Sequence, residues 1–151
     1  MKRSAGILAY RLKEEIQFFL VHPGGPFFKN KDKGSWTIPK GEPKEGEELI
    51  VAARREFFEE TGYQLAGDFI ELLPVRQKGG KLVLAWAIEI DLNENDITSN
   101  TFEMQWPPKS GLLKTFPEID MARWFSISEA LEKINPAQVS FIDEVNKLST
   151  T

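Results

Sequence analysis

The sequence predicts a layered domain of the α/β or α+β class, because strand-like and helix-like segments follow one another within a single short chain. Length and composition support that reading. The chain has 151 residues, so one folded unit is expected over residues 1–151. A chain of this size buries about 68–70% of its unfolded surface and needs no covalent staples. Hydrophobic residues make up 41% and charged residues 28%, the balance of an ordinary globular protein and not of a disordered or fibrous one.

The elements follow in order. Residues 4–10 and 16–22 (SAGILAY, IQFFLVH) read as two strands joined by the charged turn Arg11 to Glu15. Residues 22–35 carry the glycines, prolines and lysines of a surface loop, and WTIPKGEPKEGE reads as a short strand entering an irregular loop. Residues 47–61 form the strongest helix, rich in alanine, arginine and glutamate, opened by acidic residues and closed by Gly62 at the C-cap position. Residues 68–78 and 81–90 are expected to form a hairpin around Gly79-Gly80, with a bulge or sheet edge at Pro74. LVLAWAI is apolar on both faces, as a covered central strand would be. Residues 91–118 read mostly as loop, ARWFSI as a last strand, and Ser126 with Glu129 as the capping box of a short helix. Asn135-Pro136 opens a terminal helix.

Charge and cysteine usage narrow the function. Nineteen basic against 23 acidic residues leave a net charge of −4, a poor footing for binding duplex DNA. The absence of cysteine excludes disulfides, thiol catalysis and thiolate zinc sites. No apolar run reaches the roughly 20 residues of a membrane span. The apolar stretch near the start is cut by Arg11 and lacks a cleavage region, so a cytoplasmic location is expected.

The chemistry is expected on the helix. Glu56, Glu59 and Glu60 stand at i, i+3 and i+4, within one stripe about one turn tall. Ile50, Ala53 and Phe57 mark a neighbouring face suited to packing on a sheet. Such a row of carboxylates is also what a solvated helix face shows. It becomes more when a hard divalent cation relieves the repulsion, since carboxylate oxygens are the ligands Mg²⁺ prefers. Arg55 lies one turn before Glu59, where it braces that carboxylate.

The context of the row is specific. Gly41 is followed after five residues by Glu47, and after seven more by Arg55-Glu56-Phe57-Phe58-Glu59-Glu60-Thr61-Gly62-Tyr63. This resembles the Nudix box, G-x5-E-x7-R-E-U-x-E-E-x-G-U, the signature of the Nudix hydrolases. Its seven fixed positions are all present, and the bulky aliphatic U positions carry Phe57 and Tyr63 instead. WTIPKGE before the box and ARWFSISEA after it extend the resemblance over most of the chain.

The resemblance implies an α/β/α sandwich with a mixed central sheet and a loop–helix–loop motif. It also implies Mg²⁺, with Mn²⁺ as a substitute, held by Glu56, Glu59 and Glu60 with the carbonyl near Gly41. Glu47 and Arg55 would brace those ligands. The implied reaction is hydrolysis of the pyrophosphate linkage in nucleoside diphosphate derivatives, with a nucleoside triphosphate or dinucleoside polyphosphate foremost. The alternatives are a non-enzymatic nucleotide sensor and an RNA 5′-pyrophosphohydrolase. The general base is assigned first to Glu56, with Glu103 and Glu118 as candidates outside the box. Lys40, next to the box glycine, and Arg76, Lys78 and Lys81, around the glycine turn, are the candidate phosphate binders. Phe27, Phe28 and Trp106 are candidates for stacking on a base, while Trp86 is expected in the core and His22 in a structural role at a strand end. The expected partner is a small nucleotide, with no duplex DNA and no membrane, and the chain is expected to act as a monomer or homodimer.

Overall fold

The computed structural model describes residues 2–150. β1 (Arg3–Leu12) and β2 (Ile16–Pro23) form the expected hairpin, but they pair only from Tyr10–Leu12 to Ile16–Phe18. Beyond that the two strands part, and residues 36–41 enter between them. Val21 and Thr37 exchange both main-chain hydrogen bonds at 2.9 Å, Ile7 N–H donates to the Pro39 carbonyl at 3.1 Å, and β3 (Lys40–Gly41) pairs with Ala5 and Gly6 of β1. This wedge carries Lys40 and Gly41 into the open end of the sheet.

α1 (Leu49–Thr61) follows, with Gly62 at its C-cap in the left-handed region (φ +84°) as expected. The helix starts two residues later than the sequence suggests. Glu48 is an extended N-cap, and the Glu47 carboxylate turns away to accept from the Lys44 N–H and from Arg55, so no acidic residue lies in the first turn. β4 (Ile70–Glu71) and β5 (Val75–Arg76) are two fragments of the expected strand, interrupted around Pro74, and both pair with β6 (Leu82–Glu89). Gly79 and Gly80 both have positive φ, but the connection has three residues and not two. Gln77 N–H donates to the Lys81 carbonyl, and Gly80 N–H to that of Gln77.

The segment expected to be loop is in large part a hairpin. β7 (Thr101–Gln105) and β8 (Leu113–Pro117) form a separate two-stranded sheet, with Pro107-Pro108 and Gly111 at its tip. β9 (Ile119–Ser126) then pairs with β2 at the edge of the main sheet, in the order β4–β6–β1–β2–β9. β1 and β6 run parallel and the remaining pairs antiparallel, so the sheet is mixed. α2 (Ile127–Lys133) has the Ser126–Glu129 capping box. Asn135 caps a 3₁₀ turn that leads into α3 (Val139–Ser149).

Strand alternation distributes the apolar residues over two cores. Ile7, Ala9, Phe19, Val21 and Ile88 meet Ala52, Ala53 and Phe57 of α1 on one face. Leu8, Phe18, Leu20, Val83 and Ala85 meet Ala130 of α2 and Phe141, Ile142 and Val145 of α3 on the other. The result is the expected helix–sheet–helix arrangement. Among the described residues, no helix is long and apolar enough to cross a membrane.

One buried polar side chain fixes the wedge. Gln138, fully enclosed, accepts from the Ile38 N–H at 3.1 Å and donates to Thr37 Oγ1 and Gln77 Oε1 at 2.9 Å. Each buried group left unpaired costs about 1–3 kcal/mol. Gln138→Ala is therefore expected to lower the unfolding free energy by about 2 kcal/mol or more, read from the midpoint of denaturant unfolding. A change within about 0.5 kcal/mol would remove Gln138 from this role.

Candidate active site

The wedge, α1 and the β8–β9 junction meet at the open end of the sheet. Ala53, Phe57 and Glu60 lie at i, i+4 and i+7, so the stripe that α1 buries on the sheet ends in a carboxylate. Glu60 is 8% exposed. Burial pushes its pKa up to about 9, helped by the like charges of Glu56 and Glu118. The ammonium and main-chain N–H of Lys40 favour its charged form but do not offset the burial.

Glu56, one turn earlier, rests on the main chain of Gly41. A Cβ built on Gly41 would stand 2.0 Å from Glu56 Cδ and 2.1 Å from its Oε2. The glycine here supplies space. Gly46, in the same loop, supplies a positive φ of +77° instead and has open room around it. Burial also raises the Glu56 pKa, against the pull of Arg55.

Arg55 organises the rest. Its Nε and Nη2 grip the Glu47 carboxylate at 2.8 and 2.9 Å, a bidentate pair. Its Nη1 donates to Glu56 Oε1 at 2.8 Å and to both oxygens of Glu59 at 3.1 Å, and Nη2 reaches the Glu42 carbonyl. The pairing with Glu47 leads the causes that raise the guanidinium pKa, and it holds Glu47 down to about 2.

Glu118 reaches the same field from the junction of β8 and β9. Asn100 N–H donates to the Glu59 carbonyl, Glu118 N–H to the Asn100 carbonyl, and Gly24 N–H to the Glu118 carbonyl, at 2.9, 2.8 and 2.8 Å. This chain of main-chain bonds ties the residue to the end of α1. Burial raises the Glu118 pKa, with Glu56 and Glu59 adding to it. Gly24 is forced: a Cβ there would lie 1.9 Å from the Pro117 carbonyl oxygen. Glu103, by contrast, sits exposed on β7 opposite Thr115.

The cations divide in the same way. Lys40 is half-buried beside the carboxylates. Burial and then Lys81 lower its pKa, while Glu60, Glu56 and Glu42 oppose them. Lys40 and Lys81 are thus brought together. Arg76 Nη1 donates to the Gly80 carbonyl within its own turn, and Lys78 is exposed on that turn. Of the aromatic candidates, Phe27 is 59% exposed and meets Trp106 edge-to-face at 5.5 Å between ring centres. Trp86 packs against the α1-side core, as expected.

Among the described residues, no three acidic or histidine side chains already stand as a closed metal cage. Glu56 and Glu59 are bridged by Arg55 Nη1 instead. The donor set nevertheless fits a hard divalent cation. It offers only oxygen, it includes in Glu60 a buried carboxyl that Lys40 alone does not keep ionised, and the missing side chain of Gly41 leaves the room in which the Glu56 carboxylate sits against the loop.

Fold and site define a mixed-sheet sandwich in which a glycine loop feeds an acidic helix. The chain belongs to the NUDIX family: the NUDIX domain is matched over residues 1–145. It is 30% identical over 125 residues to Nudix hydrolase 5 of Arabidopsis thaliana, which covers 82% of this chain and 36% of that protein. It is 47% identical over 53 residues to the mRNA-decapping protein g5R of African swine fever virus, 32% of this chain and 21% of the other. The chain therefore spans about a third or less of these relatives' lengths. A C. elegans Ap4A hydrolase binary complex shares the fold at a TM-score of 0.69 and 22% identity, covering 99% of this chain and 98% of that one.

Sequence reasoning did not find Gly24 and Asn100, which hold Glu118 through main-chain atoms and leave no side-chain motif. The adjacent glycines after Pro23 were the only available hint.

Proposed function

We propose that the chain is a Mg²⁺-dependent pyrophosphohydrolase of nucleoside diphosphate derivatives, acting in the cytoplasm on a nucleoside triphosphate or dinucleoside polyphosphate. One observation carries this reading: the acidic row of α1 sets Glu60, which burial keeps protonated in the metal-free chain, beside Glu56 where that carboxylate rests on Gly41, so a divalent cation there would let Glu60 ionise. Glu56, Glu59 and Glu60 would hold the cation, with the Gly41 carbonyl beside them. When bound, a divalent ion neutralises phosphate charge and makes water a stronger nucleophile.

The chain's own groups supply the rest. Arg55 and Glu47 hold the carboxylates in place. Lys40 and Lys81 attract the diphosphate into a field that is otherwise negative. Glu118, whose pKa burial and then Glu56 and Glu59 raise above the ordinary carboxylate value, is suited to take a proton from the attacking water. The likeness to an Ap4A hydrolase fold supports a dinucleoside polyphosphate, and the local identity to a decapping protein supports adding RNA 5′ ends to the test.

The experiment is a panel of diadenosine polyphosphates, nucleoside triphosphates, ADP-ribose, nucleotide sugars and 5′-triphosphorylated RNA, with Mg²⁺, with Mn²⁺ and with EDTA. Turnover that vanishes with EDTA and returns with either metal is expected, and product identity names the bond cleaved. Tight binding of a nucleotide without turnover would establish a sensor instead.

A further inference from the structure

His22 stands at the end of β2 and is 6% exposed. Its Nδ1 lies 2.7 Å from Asp120 Oδ1 on β9, and its Nε2 lies 2.6 Å from the Lys31 carbonyl oxygen in the loop that follows β2. A carboxylate and a carbonyl both accept, so both ring nitrogens must donate, which only the imidazolium does. Trp36 closes the ring's side edge-on at 5.2 Å, and Trp36 Nε1 donates to Asp32 of the same loop.

The two segments joined by this ring both serve the candidate site. Asp120 is two residues from Glu118. The loop begins at Gly24, whose N–H holds the Glu118 carbonyl. It continues through Gly25, packed under the Phe102 ring, to Phe27 against Trp106. The loop is thus fixed to the β7–β8–β9 region at three places: the Gly24–Glu118 bond, the aromatic contacts and the His22 bridge. Only the bridge depends on a proton.

We propose that His22 is a positioning residue: as a doubly donating imidazolium it locks residues 24–31 to the Glu118–Asp120 turn and so sets the place of Glu118 and of the Phe27–Trp106 pair. The assignment of a role in catalysis rests on the hydrolase reading above; the bridge itself does not. A cleft of about 370 Å³ surrounds the ring. The charged groups on it are Asp120 and Arg123 from β9, Lys29, Lys31 and Asp32 from the loop, and Lys133 from α2. Lys133 is paired with Asp32, which leaves Asp120 as the counter-charge to the imidazolium.

His22 is the only histidine of the chain, so its ring signals in a ¹⁵N-labelled sample need no assignment. Two hydrogen-bonded ring N–H protons are expected in the wild type, one toward Asp120 and one toward the Lys31 carbonyl. A single N–H in the wild type would overturn the proposal. His22→Gln keeps the ability to donate to one partner and lacks the second donor in the ring's geometry. In that variant, amide hydrogen exchange is expected to rise at least tenfold in both residues 24–31 and residues 118–120, while α3 stays protected. Faster exchange in only one segment, or in neither, would also overturn it. With a substrate from the panel, His22→Gln should lower kcat at least tenfold, with the Mg²⁺ requirement unchanged. Normal kcat despite the released segments would leave the bridge structural and refute the positioning role. Should no compound of the panel be turned over, the ring protons and the exchange data still decide the bridge, so the two readings fail separately.

Discussion

Glu60→Gln is expected to abolish turnover and, at the same time, to make the metal-free protein more stable at alkaline pH. The two effects have one cause. In the folded, metal-free chain the Glu60 carboxyl titrates at about 9, against 4.5 for the ordinary group. Between those values the folded state holds a proton that the unfolded state has released, so stability falls as pH rises from about 4.5 through 9. Each unit of difference is worth about 1.4 kcal/mol, which makes the loss across the window several kcal/mol. Glutamine keeps the shape and removes the titration. Thermal unfolding from pH 5 to pH 9 should show the wild type losing stability steeply, with Mg²⁺ restoring most of it at the alkaline end, where the carboxylate is ready to bind. The variant should show a shallow profile and little response to Mg²⁺. Turnover should drop at least 100-fold, since losing a partner of a metal ligand already costs 10–100-fold and losing the ligand itself costs more. Activity retained within tenfold would end the role of Glu60 at the metal.

The part of the site that was legible in the sequence is the part written in side chains at fixed spacing. Glu47, Arg55, Glu56, Glu59 and Glu60 could be placed because helix geometry converts spacing into direction, and the packing of Ala53 and Phe57 follows from the same rule. Spacing says nothing about how deep each side chain goes. Glu59 and Glu60 are adjacent in sequence, yet Glu60 ends the buried stripe and Glu59 lies on the flank held by Arg55. The wedge between β1 and β2 was illegible because WTIPKG joins both strands through main-chain bonds that carry no residue code. The β7–β8 hairpin was hidden for a related reason. β7 alternates exposed and half-buried positions, but β8 is exposed at all but Phe116, so prolines and glycine at the tip dominated the pattern. Glu118 and Glu103 looked equivalent as loop carboxylates; only the main-chain relay from Glu59 through Asn100 brings one of them to the site.

Gly41→Ala is expected to remove activity nearly as completely as losing a ligand, with the fold intact. The φ of Gly41 is accessible to any residue, so the substitution carries no left-handed strain, and a methyl in its place stiffens the unfolded chain by about 0.4–1 kcal/mol. What the methyl cannot do is coexist with Glu56. A carbon 2.0 Å from Glu56 Cδ is inside any contact distance, so the carboxylate must swing away, giving up its 2.8 Å bond from Arg55 Nη1 and its place beside Glu60. The measurement is kcat/KM against Mg²⁺ concentration, with the unfolding midpoint beside it. A fall of about 100-fold in kcat/KM, not rescued by high Mg²⁺, should accompany a nearly unchanged midpoint. Gly46→Ala is the control because the two glycines serve opposite needs. At φ +77° alanine costs about 1–2 kcal/mol of backbone strain, yet no atom lies within 4 Å of the new methyl. That variant should lose stability and keep its kcat/KM. If both glycine variants lost stability alone, the contact between Glu56 and the Gly41 main chain would have no part in the chemistry, and the cation would have to be held by the remaining carboxylates.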